Sequence, residues 1–286
     1  MNRVFVTGAT GAQGHAITQV LNRKNIAVSS ISRGTSHSNA LLNIEKGDIT
    51  DLTHLAHAMS GSEAVIFTLP LIFDYKEVEK ITQSVIAASK MQGIKKIIFN
   101  TSIALGSKKT GCAAIDVKHK ALSLLNASDL DIITLMPTLY LDNLTTPFLL
   151  PIIQKDNIIP YPVDNNFKLA WISQENLGRY CLAALKNDDL IGQKILITNK
   201  DKITGDDLAN IISYASKKSI NYIALQADQF EENLKKTLGN DIAKEIANLY
   251  KAIDKHRDDF ESYSSEDFIA STLLETTQEW ANHIAW

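Results

Sequence analysis

Three glycines at a spacing of three residues directly follow a short apolar strand near the start of the chain. The segment from Val4 to Gly14 reads VFVTGATGAQG, and a helical pattern begins just after it. Such glycines let the chain reverse, let the backbone approach a pyrophosphate, and let the helix pack closely on the strand. The helix N-terminus then directs free N–H groups at the phosphates. The segment therefore predicts a dinucleotide-binding turn, the alternative being a glycine-rich turn without a ligand. The predicted contacts are Gly8, Thr10, Gly11, Gln13 and Gly14.

Strand-like and helix-like segments alternate through the first half of the chain. The apolar, β-branched runs predict five strands, at Val4–Val6, Ile26–Ile31, Ala64–Phe67, Ile97–Phe99 and Ile132–Leu135. Between these runs, apolar residues recur at helical spacing. Short buried strands joined by helices form parallel sheets that are covered on both faces. We therefore expect an α/β fold, a doubly wound parallel Rossmann sheet with a smaller, mostly helical C-terminal lobe.

The pattern changes after about residue 137, where the five prolines from Pro137 to Pro162 predict a region that is mostly loop. Further strands and helices are expected at Leu169–Ile172, Gln174–Leu185, Lys194–Ile197, Asp206–Ser216, Ala227–Leu238, Ile242–Asp254 and from Glu266 to Ile284. Ser264 and Asp267 resemble a capping box for the last helix. We expect residues 1–137 with about 168–200 to form the cofactor-binding domain, and 138–167 with 201–286 to form the smaller substrate or partner lobe.

Composition narrows the class of protein. The chain has 286 residues, 45% hydrophobic content and a formal net charge of −3, with no basic block, so no nucleic-acid partner is expected. Cys112 and Cys181 have no metal-ligand spacing, which predicts two reduced thiols and no metal. No apolar run reaches the ~18 residues of a membrane span, and no secretory signal is visible. These features predict a cytoplasmic protein without a membrane partner.

The end of the second predicted strand bears on the choice of dinucleotide. An NAD-selective site places Asp or Glu there, about 20 residues beyond the glycines. This chain has Ser32 and Arg33 instead. A guanidinium pairs with a phosphate as a planar, permanently charged fork, and Ser32 adds a hydroxyl. The pair favours NADP(H) over NAD(H), the alternative being that Arg33 is a solvated cation.

Two further strand ends complete the predicted cofactor site. Asp48 follows a third short strand and is placed to accept from the adenine amino group, while Ile49 is placed to pack on the adenine ring. Asp48 also suits the cap of a helix starting near Leu52, and the two roles are compatible. The end of the strand at 64–67 is expected to lie along the nicotinamide ribose. Its predicted contacts are Thr68, Leu69 and Pro70.

Several of these segments resemble the NmrA-like branch of the atypical short-chain dehydrogenase/reductases. The resemblance begins with the glycine turn, where Gln13 before the third glycine is common in that branch. It continues in the segments Ser128–Leu130, Thr134–Pro137 and Tyr140–Leu144, which are similar to the family's SGL, LRP and F-x-E-N runs. Ile172–Gly178 resembles its later I-S-x-x-D-I-G run. The resemblance extends to about residue 215 and implies a Rossmann fold that binds NAD(P).

The resemblance also implies candidate catalytic residues. Dehydrogenases of this superfamily use a Tyr-x-x-x-Lys pair, and the spacing to Ser128 puts Lys118 at the Lys position and Ala114 at the Tyr position. Ser102 matches the usual Ser/Thr position. Lys118 is expected to hold the ribose hydroxyls and lower the pKa of a proton donor. A slip in register would exchange it for Lys120, and a solvated lysine is the alternative.

The remaining features leave the chemistry open. Tyr140 either offers a hydroxyl to the substrate or packs in the closing loop, and the apolar run from Thr146 to Ile153 either lines a pocket or buries against the helical lobe. One hypothesis is an NADPH-dependent oxidoreductase that passes a hydride to a quinone or small carbonyl acceptor without a catalytic Tyr. The other is a non-catalytic NADP(H)-binding redox sensor with a protein partner. A sugar-nucleotide epimerase is disfavoured because that chemistry relies on the missing Tyr.

Overall fold

The computed structural model describes residues 1–34, 36–106, 108–258 and 273–286. Its strands are β1 (Arg3–Val6), β2 (Ala27–Ser32), β3 (His37–Ser38), β4 (Leu42–Lys46), β5 (Ala64–Thr68), β6 (Lys96–Asn100), β7 (Asp131–Pro137), β8 (Ile158–Tyr161), β9 (Leu169–Ala170), β10 (Lys194–Ile197), β11 (Lys202–Ile203) and β12 (Asn221–Ala224). The central sheet has the order β10-β7-β6-β5-β1-β2-β4-β3. All its neighbours run parallel except the edge pair β3 and β4. The predicted doubly wound sheet is confirmed.

Helices connect and cover these strands. They are α1 (Ala12–Asn22), α2 (Leu52–Ala58), α3 (Tyr75–Met91), α4 (Ala113–Asn126), α5 (Leu150–Asp156), α6 (Gln174–Leu185), α7 (Gly205–Ser216), α8 (Ala227–Leu238), α9 (Asn240–Lys255) and α10 (Thr277–Asn282), with short 3₁₀ helices at Leu141–Thr145 and Asp188–Leu190. No helix in the described ranges combines the length and the apolar character that crossing a bilayer requires.

Alternating side chains of the strands form two cores. Phe5 of β1 points to the face that is covered by α2, α3 and α4, whereas Val4 and Val6 point to the face covered by α1 and α6. This alternation follows from the two-residue period of a strand. Because both faces are buried, the strands are nearly continuous apolar runs, and this is why the sequence predicted them. The sheet order reverses direction between β1 and β5, which puts the ligand crevice at their carboxyl ends.

The prediction of a mostly irregular region after Pro137 was wrong. The segment contains a 3₁₀ helix, α5 and β8. Pro151 lies in the first turn of α5, where a missing N–H breaks no helical hydrogen bond. Pro160 lies in β8, which pairs only with β12 in a two-stranded parallel sheet, and a strand edge tolerates proline. The prolines therefore occur inside regular structure at positions that their chemistry permits.

The last predicted helix needs a similar correction. Ser264, Asp267 and the stretch 266–272 lie outside the described residues. Within them, residues 273–276 are not helical, and α10 is capped by Thr276, whose hydroxyl accepts from Glu279 N at 3.1 Å. A Thr with an acidic residue three positions later is itself a capping box, so within the described residues the helix begins after Thr276.

The chain after residue 168 returns only partly to the central sheet. Strand β10 pairs with β7 at its edge, whereas the predicted strand Leu169–Ile172 is shortened to β9 and pairs with β11 in a separate antiparallel ribbon. Helix α6 packs on α1 beneath the sheet. Helices α8 and α9 pack on each other, and α9 also packs on α4. The helices of the C-terminal lobe thus lie over the carboxyl ends of the strands.

Candidate functional site

The glycine turn has the geometry of a phosphate cradle. Gly8 has φ +67°, a left-handed conformation that a side chain disfavours. A Cβ on Gly14 would lie 2.1 Å from the carbonyl oxygen of Gly8, so only glycine permits this closeness of helix and strand. Gly11 caps α1 without a side chain, which leaves the first turn of the helix open at an exposed surface together with Thr10. The turn fits an anionic group at the helix N-terminus.

Gln13 contacts the ends of two strands below the turn. Its Oε1 accepts hydrogen bonds from Asn100 Nδ2 at 2.7 Å, Ser102 Oγ at 3.1 Å and Tyr140 OH at 3.3 Å. Asn100 ends β6 and Tyr140 follows β7, so one amide oxygen connects the start of α1 to both strands. Sequence reasoning used Gln13 as a mark of the family and as a predicted cofactor contact, and it did not predict this structural role.

Two hydrogen bonds between Thr7 and Thr68 hold the end of β1 against the end of β5. The Thr7 hydroxyl donates to the carbonyl oxygen of Thr68 at 2.8 Å and accepts from Thr68 N at 2.7 Å. Thr68 is half-buried, Pro70 is exposed, and the side chain of Leu69 is buried in the core. Of the three predicted ribose contacts, Leu69 therefore has only its backbone available to a ligand.

The predicted adenosine contacts lie at the ends of β2 and β4. Arg33 is exposed directly after β2, and Ser32 Oγ accepts a hydrogen bond from Gly34 N at 3.3 Å. Ile49 is half-buried against the core. Within the described residues Arg33 forms no ion pair, so its guanidinium is available to a phosphate.

Asp48 does not cap α2 as the alternative prediction had it. The cap is Asp51, whose Oδ1 accepts from His54 N at 3.1 Å. Asp48 Oδ1 accepts instead from the backbone N and the hydroxyl of Thr50, both at 2.8 Å. These hydrogen bonds, the backbone one first, lower the pKa of Asp48, and Arg33 contributes to the same shift. The carboxylate thus stays ionised and keeps its second oxygen for an amino group.

A cavity of about 340 Å³ lies between the strand ends and the C-terminal lobe. Its polar wall contains all three predicted catalytic residues, Lys118, Ser102 and Tyr140, together with Gln13. The opposite wall is apolar and comes from the segment after β7 and from α8 and α9. It includes Phe148, Leu149, Phe230, Leu234, Leu238, Ile246 and Leu249. The apolar run at 146–153 therefore lines the cavity through Phe148 and Leu149, and buries Ile153 in the core.

Lys118 is the cation of this cavity and is not a solvated lysine. Only 8% of the residue is exposed, and burial lowers its pKa from 10.5 to about 8. Among the described residues it has no ion-pair partner. Lys120, the residue that a slip in register would select, does not line the cavity and pairs with Glu79 at 3.2 Å. Ala114, one helical turn before Lys118, lines the same cavity where a tyrosine is usual for the superfamily.

The hydroxyls near Lys118 are held in fixed positions. Ser102 has φ +62°, an unusual backbone conformation for a serine, and its N–H donates to Asn100 Oδ1 at 3.0 Å. Tyr140 is 5% exposed, and burial raises its pKa well above the usual value. Both hydroxyls therefore stay protonated and oriented toward Gln13.

Several polar residues of the cavity, among them Thr138, Tyr161 and Tyr250, were missed by the sequence reasoning. Thr138 follows β7, is 2% exposed, and its hydroxyl has no hydrogen-bond partner. Tyr161 of β8 and Tyr250 of α9 also line the cavity, and their hydroxyls are in contact with each other. Thr138 directly follows Pro137, which ends the segment that resembles the family's LRP run. That position was the signal in the sequence that could have indicated Thr138. No local pattern marks the two tyrosines.

Fold and site together define a protein of the doubly wound dinucleotide-binding class with a covered cavity at its strand ends. The chain belongs to the NmrA-like family, whose sequence model matches residues 1–281. This match confirms the resemblance seen in the sequence and extends it over the helical lobe. No group of three or more His, Cys, Asp or Glu side chains suited to a metal occurs in the part of the chain that the structure describes.

Similar proteins include several reductases. An NAD(P)H azoreductase of Xenophilus azovorans is 19% identical over 236 residues, which cover 80% of this chain and 79% of the azoreductase. Among solved structures, a nucleoside-diphosphate-sugar epimerase of Staphylococcus aureus has a TM-score of 0.80 at 22% identity and covers 99% of this chain and 100% of its own. Triphenylmethane reductase of Citrobacter sp., complexed with NADP(H), has a TM-score of 0.78 at 19% identity, with 97% and 98% covered.

Two further structures bear on the alternative hypotheses. An NADPH-dependent quinone oxidoreductase of Escherichia coli has a TM-score of 0.75 at 18% identity and covers 98% of both chains. The negative transcriptional regulator NmrA, in complex with NAD, has a TM-score of 0.70 at 14% identity, with 99% of this chain and 95% of its own covered. At these identities the likenesses establish the fold, and enzymes and a regulator share it.

Proposed function

We propose that this protein is an NADPH-dependent oxidoreductase that reduces a quinone or a small carbonyl compound. The cavity is the observation that carries the proposal, because it joins a polar wall around Lys118 to a wall of Phe148, Phe230 and leucines. A flat apolar acceptor fits such a space, and its orientation is most of what a direct reduction requires from a protein. The similar proteins named azoreductase, triphenylmethane reductase and quinone oxidoreductase support a reductase by their names, and the last is named for quinones.

The cofactor proposed is NADP(H), with NAD(H) less favoured. In this proposal Gly8, Thr10, Gly11 and Gly14 hold the pyrophosphate at the N-terminus of α1. Arg33 and Ser32 bind the 2′-phosphate, and Asp48 and Ile49 contact the adenine. Thr68, Pro70 and the backbone of Leu69 lie along the nicotinamide ribose. The relatives named for NADP(H) and NAD(P)H support this assignment.

The roles proposed for the cavity residues follow from their charge and burial. A reduced nicotinamide, when bound, supplies a hydride. Lys118 binds the ribose hydroxyls and stabilises negative charge that develops on the acceptor, because a buried ammonium acts at low dielectric. Ser102 and Tyr140 keep Gln13 and the acceptor side of the cavity oriented through their hydroxyls. The helical lobe excludes water above them.

The decisive experiment is NADPH consumption with a panel of quinones and aldehydes. Lys118→Met removes the ammonium at similar length, and we expect it to reduce kcat/KM by about 100-fold or more, the loss typical of one electrostatic donor. Lys120→Met is the matched control on the same helix, because Lys120 pairs with Glu79 outside the cavity, and its activity should stay unchanged. Tight NADPH binding without turnover of any acceptor would contradict the enzymatic proposal.

Cofactor selectivity has its own test. We expect Arg33→Ala to weaken NADPH about 10- to 100-fold while leaving NADH affinity unchanged, because only the former carries the phosphate that a guanidinium binds. Arg23→Ala is the control, since Arg23 is an exposed arginine that is engaged with Glu175. Equal affinities for the two cofactors in the unmodified protein, together with no effect of Arg33→Ala, would contradict NADP selectivity.

A redox sensor is the second candidate function, and Ala114 is the observation that favours it. This residue leaves the cavity without the usual superfamily tyrosine hydroxyl, and the NmrA regulator shares the fold. A sensor would bind NADP(H) and consume none with any acceptor in the panel. Its protein partner would then bind the NADPH and NADP⁺ forms with different affinities. A division into a cofactor domain (1–137 with about 168–200) and a covering lobe (138–167 with 201–286) suits either function and is likewise proposed.

A further inference from the structure

Two tyrosines that are distant in sequence meet in the wall of the cavity. Tyr161 ends β8, Tyr250 lies in α9, and their hydroxyl oxygens are 2.5 Å apart. Asn143, in the 3₁₀ helix that follows β7, donates from its Nδ2 to the Tyr161 hydroxyl at 3.0 Å. All three residues line the cavity. Tyr161 is fully buried and Tyr250 is 6% exposed, so Tyr250 is the more accessible member of the pair.

The Tyr161–Tyr250 pair has one more hydrogen-bond donor than the protein has acceptors for. The two hydroxyls carry two hydrogens, and only one of these can lie between the two oxygens. Asn143 is a donor to the pair and so accepts neither hydrogen. Within the described ranges, no other acceptor contacts either hydroxyl. Whichever tyrosine donates to the other, one O–H remains without an acceptor at the cavity wall, and a buried unpaired donor is costly.

The surroundings keep this donor both rigid and protonated. The Tyr161 ring packs against Trp171 at 5.3 Å and Phe230 at 5.9 Å between centroids, and the Tyr250 ring packs edge-on against Phe230 at 5.4 Å. Burial raises the pKa of Tyr161 to about 12 and that of Tyr250 well above its usual value. Neither hydroxyl therefore ionises near neutral pH, and neither ring can turn away without breaking the aromatic cluster.

We infer that the Tyr161–Tyr250 pair donates a hydrogen bond to an oxygen atom of the acceptor, so that the cavity selects flat acceptors that carry a carbonyl oxygen. This inference rests on the proposed reductase function and narrows its substrate class to quinone-like molecules. The pair supplies a hydroxyl from the covering lobe at a site where Ala114 leaves none on α4. A second unpaired hydroxyl in the same cavity, that of Thr138, independently points to a polar ligand.

The test compares two probes that differ in their oxygens. 1,4-Naphthoquinone and naphthalene are titrated into the NADP⁺-saturated protein, in which the oxidised cofactor prevents turnover, and into the cofactor-free protein. We expect Tyr250→Phe to weaken naphthoquinone about fivefold to tenfold, the effect of one hydrogen bond, and to leave naphthalene unchanged. Tyr222→Phe is the matched control, since the Tyr222 hydroxyl already donates to the Val163 carbonyl oxygen at 2.8 Å and lies outside the cavity lining.

A spectroscopic measurement separates donation from a packing role. Hydrogen bonding lowers the carbonyl stretching frequency of bound naphthoquinone, and Tyr250→Phe should move that band back toward its unbonded position. Tyr161→Phe leaves the Tyr250 O–H without an acceptor in the protein, so the band should stay at the hydrogen-bonded position in that variant. Equal loss of affinity for both probes in Tyr250→Phe, an unchanged band in Tyr250→Phe, or no binding of naphthoquinone to the unmodified protein would overturn the inference. Discrimination between the probes without NADPH turnover would support the hydrogen bond while refuting the reductase proposal, so the two failures are distinguishable.

Discussion

The ammonium group of Lys118 is buried, where keeping it charged costs free energy of folding. Its pKa falls from 10.5 to about 8 through burial, and this difference corresponds to about 3 kcal/mol spent in keeping the group charged in the folded state. Below about pH 8 both the folded and the unfolded chain hold the proton, so the full cost applies. Between about pH 8 and 10.5 the unfolded chain binds more protons, and stability rises with pH.

We therefore expect Lys118→Met to be more stable than the unmodified protein at pH 7, in the absence of cofactor, by up to about 3 kcal/mol. The advantage should shrink as the pH rises toward 10. Urea unfolding at pH 7 and pH 10 measures both values. Lys120→Met, which lacks the burial, should show no such gain, and a gain that is independent of pH would contradict the role of the charge.

Thr138 is a second residue that lowers the stability of the ligand-free protein, and this suggests that its side chain binds a ligand. Its buried hydroxyl has no partner. We expect Thr138→Val to raise the stability of the cofactor-free protein by about 1 kcal/mol, because it replaces an unpaired polar group with a methyl group. The stabilisation by saturating NADPH, or by NADP⁺ with naphthoquinone, should fall.

The matched variant for Thr138 is Thr101→Val. The Thr101 hydroxyl donates to the Ile103 carbonyl oxygen at 2.6 Å, so its removal should destabilise the protein. Thermal unfolding with and without ligand gives the comparison. If both variants change stability in the same direction, the Thr138 hydroxyl has a partner in solution, and the argument for a ligand there fails.

Among the elements, those that the sequence revealed are the ones buried on both faces. β1, β5 and β6 are short apolar runs that no other structure accommodates as well. Strand β12 was missed and lacks that signal: it reads NYIA, with half-buried or exposed residues. It forms because β8 presents a free edge, which is information from the assembled structure. Helix α5 was missed because its proline was taken as a breaker.

Helices α8 and α9 determine the size of the acceptor cavity. Leu249 of α9 is a half-buried member of its apolar wall. We expect Leu249→Asn to raise KM for an apolar acceptor about tenfold while leaving NADPH affinity unchanged, since a leucine side chain contributes about 1.5 kcal/mol or more on burial. Ile223→Asn, at an exposed position of β12 in the same lobe, is the control. An equal change in both variants would mean that lobe stability, and not the wall, sets KM.

At the scale of the whole molecule, the sequence predicted one half of the candidate site better than the other. Gly8, Gln13 and Lys118 belong to motifs whose spacing is local, so they were found from the sequence. Tyr161 and Tyr250 are 89 residues apart and meet only because α9 folds back onto β8. A hydroxyl pair of this kind depends on how the lobe packs over the sheet, and no periodicity records it.

A buried amide side chain on α6 binds the backbone of the C-terminal segment. Asn176, on α6 under the sheet, donates from Nδ2 to Asn199 Oδ1 at 2.7 Å and to the Glu275 carbonyl oxygen at 2.9 Å. Its Oδ1 accepts from Glu275 N at 3.0 Å. The chain then enters α10, which packs on α7 of the lobe. The side chain of Asn176 thus pairs with a backbone segment as a neighbouring strand would.

We expect Asn176→Ala to destabilise the protein by about 2–4 kcal/mol, because the N–H and the carbonyl of Glu275 lose partners in a buried place. The C-terminal segment should detach before the sheet unfolds. Trp280 is buried in α10, so its fluorescence should shift to the red at lower urea than the loss of sheet signal, and protease should cleave near the C-terminus faster. Asn282→Ala, which removes only an exposed bond to Gln278, should change neither. A single coincident transition in Asn176→Ala would mean that the segment is an inseparable part of one folding unit, and that its amide clamp does not govern the connection between sheet and lobe.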